Sequence, residues 1–284
     1  MNTTVKLKSG ITVPAMGQGT WFLGDDKSKR NEEIEALRTG IDLGMTLIDT
    51  AEMYGNGRSE ELVGEAIGGY KRQELFLVSK VLPSNANRAN MIISCKKSLK
   101  RMNISYLDLY LYHWRGSTPL KETVSCMEEL VKEGLIKSWG VSNFDTDDMM
   151  ELFTLEDGKN CMVNQVLYHT ASRGIEYSLI PWMNENNVAL MSYCPLAQAG
   201  SLKRGLFSSI TLKDIAKKHK CDITQVLLSW NIRNKNTIAI PRTGNKSHTV
   251  LNAKATDIIL DEDDIKMIDK EFLPPTKKLP LDIQ

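Results

Sequence analysis

Four residues that can hold or move a proton stand at or just beyond the ends of short apolar runs. Asp49 closes Thr46-Leu47-Ile48-Asp49, Lys80 closes the run 75–80, and His113 follows the run 107–112. Tyr54 lies in the loop 50–56, directly after Asp49. A lysine that ends an apolar strand buries its stem, and its ammonium is tolerable there only beside an anionic or hydrogen-bonding partner, which Asp49 can supply. A tyrosine next to that ammonium has its phenol pKa drawn below the ordinary value of about 10, because the cation favours the phenolate. Such a phenol serves as a general acid near neutral pH. One of these residues alone reads as a satisfied structural group; four of different type on one face read as a site that protonates a polar substrate. A Schiff-base role for Lys80 is the competing chemistry. It needs a depressed lysine pKa, whereas Asp49 would raise it.

A shared face requires parallel strands whose C-terminal ends converge. Strand-length apolar runs fall at 46–49, 75–80, 107–112, 136–141, 162–165, 188–193 and 237–240, with a shorter candidate at 15–18. Segments of helical period, such as 31–43, 59–67, 88–101, 120–133 and 223–233, lie between them. Eight strands alternating with helices predict an α/β fold, the (β/α)8 TIM barrel, for which about 250 residues is typical. A doubly wound open sheet would start with a glycine-rich phosphate turn, and Gly17-Gln18-Gly19-Thr20-Trp21-Phe22 lacks the third glycine. The runs 4–8 and 11–14 predict an N-terminal β-hairpin with a two-residue Ser9-Gly10 turn, capping one end of the barrel. No linker interrupts residues 1–284, which read as a single domain, and the proline-rich tail 272–280 is expected to cross one end of the barrel.

Composition narrows the function further. The 284 residues are 42% hydrophobic and 25% charged, and 36 Lys and Arg against 35 Asp and Glu leave a formal charge of +1. Such a surface gives no overall field to hold a nucleic acid or an anionic membrane. The start lacks a signal-peptide layout and no stretch approaches the roughly 20 apolar residues of a membrane span, so a cytoplasmic protein is expected. Cys95, Cys126, Cys161, Cys194 and Cys221 are scattered and never spaced as metal ligands, so they read as small packing residues and no metal site is expected.

The sequence resembles the aldo/keto reductases from Gly17-Gln18-Gly19-Thr20-Trp21 to Asn252. The stretch Gly44-Met45-Thr46-Leu47-Ile48-Asp49-Thr50-Ala51-Glu52-Met53-Tyr54-Gly55 is similar to the family's first signature. Val78-Ser79-Lys80, Leu109-Tyr110-Leu111-Tyr112-His113-Trp114, Trp139-Gly140-Val141-Ser142-Asn143-Phe144, Asn164-Gln165-Val166 and Ser192-Tyr193-Cys194-Pro195-Leu196 follow in family order. Ser172-Arg173-Gly174-Ile175-Glu176-Tyr177 and Leu196-Ala197-Gln198-Ala199-Gly200 resemble short bacterial members associated with methylglyoxal reduction.

The resemblance implies NADPH-dependent reduction of aldehydes and ketones, with NADH as a weaker alternative. Asp49, Tyr54, Lys80 and His113 would form the catalytic tetrad, with Tyr54 protonating the carbonyl oxygen and His113 orienting it; no metal is needed. Ser142, Asn143 and Gln165 would hold the nicotinamide carboxamide, and Tyr193 would stack on the ring. Thr20 and Trp21 would border the nicotinamide ribose and the substrate, Leu196 and Gln198 would begin the pyrophosphate loop, and Gly19, Asp49 and Cys194 would be further cofactor-binding residues. Ile240, Arg242, Thr243, His248 and Asn252 belong to the segment that resembles the family's 2′-phosphate and adenine grip. Arg242 and Thr243 replace the usual Lys and Ser, His248 stands where an arginine is common, and Leu251 where an acid is common. Lys246 reads as a solvated residue at a helix start. Trp21, Tyr54, His113 and Trp114 would line the substrate channel, while Trp139, Trp182 and Trp230 read as packing residues. A monomer acting on a small carbonyl compound is expected; the alternative is an NADPH-binding regulatory subunit, against which the intact tetrad argues.

Overall fold

The structure, a computed structural model, describes residues 3–197 and 205–283. Strands β1 (Thr4–Lys6) and β2 (Thr12–Pro14) pair antiparallel. Eight parallel strands then follow in sequence order: β3 (Gln18–Gly19), β4 (Leu47–Asp49), β5 (Phe76–Val81), β6 (Leu107–Tyr112), β7 (Ile136–Ser142), β8 (Val163–Leu167), β9 (Ala189–Tyr193) and β10 (Thr237–Ala239). Hydrogen bonds from Gly17 N to Ala239 O (2.8 Å), Ala239 N to Ala15 O (2.8 Å) and Gly19 N to Pro241 O (3.1 Å) join the first strand to the last. This seam closes the sheet into a (β/α)8 barrel. Close approach explains the glycine at its centre, since a Cβ on Gly19 would stand 2.7 Å from the Ile240 carbonyl oxygen.

Helices include α1 (Arg30–Asp42), α2 (Arg58–Ala66), α3 (Met91–Met102), α4 (Leu120–Lys132), α5 (Thr146–Thr154), α6 (Leu179–Glu185), α7 (Ile210–Lys218), α8 (Ile223–Asn231), α9 (Lys246–Lys254) and α10 (Glu262–Glu271). Alternation along the strands divides the core into two layers. Leu47, Val78, Leu109, Leu111, Val163, Met191 and Ile238 form the inner cluster, with Val5, Leu7 and Val13 of the hairpin closing its N-terminal end. Ile48, Leu77, Tyr110, Trp139, Val141, Val166 and Leu190 belong to an outer layer with helix residues such as Leu62, Leu99, Met127 and Leu227. Trp230 is fully buried in that layer and Trp182 packs on it, as expected of packing residues. Each buried leucine of this kind contributes about 1.5–3 kcal/mol by leaving water. The same period of two carries inward from Leu47 to Asp49, from Val78 to Lys80 and from Leu111 to His113.

Three details differ from the sequence reading. The hairpin turn holds three residues rather than two: Leu7 N bonds Ile11 O and Gly10 N bonds Leu7 O, both at 2.8 Å, and Gly10 takes the left-handed position at φ +88°. This is a turn closed by a glycine bulge. The helix expected from residue 88 starts at Met91; ahead of it Asn87 Oδ1 accepts the N–H groups of Ala89 and Asn90 at 3.1 Å. Lys80 is the penultimate residue of its strand, which runs on to Val81. The tail after α10 passes over the loop that follows β8, where Arg173 donates to the Phe272 carbonyl at 2.5 Å and Ser172 bonds Asp282.

Candidate active site

At the C-terminal mouth of the barrel, Lys80 Nζ makes three hydrogen bonds: to Asp49 Oδ1 at 2.6 Å, to the Thr50 carbonyl at 2.9 Å and to Tyr54 Oη at 3.0 Å. All three ammonium donors are used, as a fully buried lysine requires. The second Asp49 oxygen accepts Gln165 Nε2 at 2.9 Å. Burial works against the Lys80 charge, but Asp49 and Tyr54 raise its pKa above the ordinary lysine value, so the ammonium persists. Tyr54 differs from the sequence expectation. Its pKa is raised rather than lowered, because burial outweighs the pull of the Lys80 cation and Asp49 adds to the rise. The phenol therefore holds its proton at neutral pH, and Lys80 stands where a phenolate would need a counter-charge.

His113 is neutral. Burial, with the Lys80 cation nearby, lowers its pKa to about 2. Its ring meets the Tyr54 ring edge-on at 5.8 Å, and its backbone is held from two sides, N–H to Val81 O at 3.1 Å and carbonyl from Asn143 Nδ2 at 3.2 Å.

Asp49, Tyr54, Gln165 and His113 line a cavity of about 410 Å³, while the fully buried Lys80 lies behind that wall. The expected residues Gly19, Thr20, Trp21, Asp49, Tyr54, His113, Trp114, Ser142, Asn143, Gln165, Tyr193, Cys194, Leu196, Ile240 and Arg242 all reach its wall. Thr20 contributes shape rather than a ligand hydroxyl, since its Oγ1 donates to the Asp49 carbonyl at 2.9 Å. Ser142, Asn143 and Gln165 gather because β7 and β8 end side by side; Ser142 Oγ donates to the Gln165 carbonyl at 2.8 Å. Asn143 lies at φ +58°, a left-handed position that asparagine tolerates, and its Oδ1 accepts from Tyr193 Oη at 2.9 Å. Amide and hydroxyl groups beside the half-buried Tyr193 ring suit a planar carboxamide on an aromatic ring.

Thr243, His248 and Asn252 lie beyond the cavity wall, and Gln198 falls outside the described residues. Thr243 Oγ1 accepts from Asn245 N at 3.1 Å, His248 is exposed on the first turn of α9, and Asn252 is buried. Lys246 is paired with Glu35 at 2.8 Å, which agrees with its reading as a surface residue. Phe22 and Met53, which the sequence reading did not include, line the cavity too. Residue type alone gave no signal for Phe22; its place depends on a backbone φ of +68°.

Residues 15–271 match the Aldo/keto reductase family. The chain belongs to the aldo/keto reductase family. Methylglyoxal reductase YeaE of Escherichia coli is 47% identical over 279 residues, covering 98% of both chains. Glyoxal reductase of Bacillus subtilis is 34% identical over 272 residues, covering 95% of this chain and 92% of the other. An aldo-keto reductase from Klebsiella pneumoniae, crystallised with NADPH, superposes with a TM-score of 0.97 at 48% identity and 100% coverage of both chains. The aldo/keto reductase resemblance drawn from the motifs is thus correct, and the barrel is that of the family's solved members.

Proposed function

We propose that this oxidoreductase uses NADPH to reduce small aldehydes and ketones to alcohols, 2-oxoaldehydes such as methylglyoxal among them, with Tyr54 as the proton donor. The observation that carries this reading is the Lys80 ammonium set 3.0 Å from Tyr54 Oη and 2.6 Å from Asp49, behind a cavity that Asn143 and Gln165 also line. NADPH, when bound, supplies the hydride for the carbonyl carbon. Ser142, Asn143 and Gln165 would hold its carboxamide, and Tyr193 its ring face. Gln165 Nε2 is committed to Asp49, so Gln165 Oε1 is the acceptor left for an amide N–H.

On the substrate side, Tyr54 delivers its proton to the carbonyl oxygen and is left as a phenolate facing the Lys80 cation. Stabilising charge at the point where it develops is what lowers the barrier. Neutral His113 contributes a dipole without a competing charge, and Trp21 and Trp114 line the cavity with it. The relatives' names favour 2-oxoaldehydes as substrates. Purified protein, NADPH and methylglyoxal are the test: loss of NADPH absorbance with formation of the hydroxy product is expected. Absence of turnover with methylglyoxal, simple aldehydes and ketones alike would refute the reading.

A further inference from the structure

Glu52 stands two residues before Tyr54, is half-buried, and lies outside the cavity wall. Its loop leaves β4 and carries the ladder toward β5 two steps further, with Thr50 N–H bonded to the Val78 carbonyl at 2.9 Å and Glu52 N–H to the Lys80 carbonyl at 3.4 Å. In a regular parallel ladder the next donor, Leu82 N–H, would go to the Glu52 carbonyl. The Glu52 side chain takes that place instead: its Oε1 accepts Leu82 N–H at 2.7 Å and Asn85 Nδ2 at 3.0 Å. The carbonyl of the same Val81–Leu82 peptide accepts His113 N–H at 3.1 Å. One peptide plane is thus held at one edge by the loop that carries Tyr54, and at its other edge it holds His113. Beyond Tyr54 the loop runs through three left-handed positions, Gly55, Asn56 and Gly57, at φ +57°, +53° and +94°. Such a backbone joins no strand ladder, so the hold on this loop comes from the Glu52 side.

We infer that Glu52 is a positioning residue, which sets Tyr54 against His113 through the Val81–Leu82 peptide. It rests on the carbonyl-reductase reading, which gives Tyr54 and His113 their roles. Both side chains act on one carbonyl oxygen, so their separation must be kept; their rings meet at 5.8 Å, yet they come from different strand ends with β5 between them. A misplacement of about 1 Å between reacting groups costs up to about 10²-fold in rate. Hydrogen bonds at the two edges of a peptide also polarise one another, so the carboxylate on Leu82 N–H strengthens the Val81 carbonyl as an acceptor for His113. The choice of glutamate has a physical reason. One carboxylate oxygen offers two lone pairs, enough for both Leu82 and Asn85, and the two-methylene stem spans the gap from the loop. Aspartate, one methylene shorter, falls short of Leu82. Glutamine has the same length and an acceptor oxygen, without the charge.

Glu52→Gln keeps the reach and loses the charge, whereas Glu52→Asp keeps the charge and loses the reach. With NADPH bound and methylglyoxal in excess, the single-turnover rate of NADPH oxidation reads the chemical step. It should stay within about threefold of wild type in Glu52→Gln and fall about tenfold or more in Glu52→Asp. NADPH affinity, by fluorescence titration, should stay within about twofold in both, since Glu52 lies outside the cavity wall. A merely structural role would lower the yield of folded protein without changing the rate per bound NADPH. A second readout needs no substrate: amide hydrogen exchange followed by NMR. The Leu82 and His113 amides should both exchange about tenfold faster or more in Glu52→Asp and keep their wild-type rates in Glu52→Gln. Glu52→Ala takes the place of Glu52→Asp in both measurements if the latter does not fold. A wild-type rate in the shortened variant, a tenfold loss in Glu52→Gln, or faster exchange at Leu82 alone overturns the inference. If the wild type reduces no carbonyl compound, the carbonyl-reductase reading fails instead, and the exchange rates still decide whether Glu52 holds His113 in place.

Discussion

Tyr193 Oη donates to Asn143 Oδ1 at 2.9 Å, and the same amide's Nδ2 donates to the His113 carbonyl at 3.2 Å. One asparagine thus ties together the ends of β9, β7 and β6, the strands that lead to Tyr193, Asn143 and His113, for which ring-stacking, amide-binding and carbonyl-orienting roles are proposed. A phenol held at its oxygen cannot swing from the cavity wall, so the anchor sets the plane on which a nicotinamide would lie. Tyr193→Phe keeps the ring and removes the anchor. NADPH should bind roughly 2- to 12-fold more weakly, the worth of one net hydrogen bond of about 0.5–1.5 kcal/mol. Fluorescence titration measures this directly, and an unchanged affinity would separate stacking from the anchor.

Tyr54→Phe tests the proton donor. General acid catalysis contributes about 10²- to 10⁴-fold, and phenylalanine keeps the ring while losing the proton, so kcat should fall by that factor. NADPH affinity should stay within about twofold, since Tyr54 bonds Lys80 rather than the amide cluster. Retention of near wild-type kcat would assign the proton to another group.

Much of this site was legible because strand periodicity fixes direction. Once Leu47, Val78 and Leu111 are assigned to the inside, Asp49, Lys80 and His113 must point there too, and family order supplied Ser142, Asn143, Gln165 and Tyr193. What depends on balance or on backbone conformation was not legible. The direction of the Tyr54 shift is a contest between burial and one cation, and the burial is known only from the packed structure. Phe22 reaches the cavity through a left-handed backbone that no residue pattern announces. The length of the hairpin turn is hidden for a related reason, since Gly10 can close either a two-residue turn or a three-residue one with a bulge, and only the register of Lys6 against Thr12 distinguishes them.

His113 makes stability depend on pH. Its pKa in the folded protein is about 2, far below the 6.5 of an ordinary histidine. As pH falls through about 6.5 the unfolded chain takes up a proton that the folded one refuses, so the stability present above that pH is lost progressively on acidification. Between pH 7 and pH 5 this one group costs about 2 kcal/mol. His169, lowered to about 4, adds a loss of the same sign. In His113→Gln the difference between urea-unfolding free energies at the two pH values should shrink by about that 2 kcal/mol, leaving the His169 share. An undiminished difference would show that His113 is protonated in the folded state.

Cofactor choice rests on Arg242 and its neighbours. Lys246 is engaged by Glu35, and Asn245 Oδ1 already accepts the N–H groups of Ser247 and His248 at 2.9 and 3.2 Å, so the start of α9 is capped by its own side chain. Arg242 is then the cation best placed for a 2′-phosphate. Arg242→Ala should weaken NADPH by about 1.5–3 kcal/mol, the scale of a charged hydrogen bond, and leave NADH within about threefold. His248→Arg places a permanent, forked cation on the first turn of α9, where an anion is already favoured by the helix dipole. It should tighten NADPH several-fold and leave NADH unchanged. Titrating both cofactors against both variants separates the phosphate from the rest of the nucleotide. Equal losses of NADPH and NADH in Arg242→Ala would mean that this residue acts on the shared part of the cofactor, and the segment 242–248 would not be the 2′-phosphate seat.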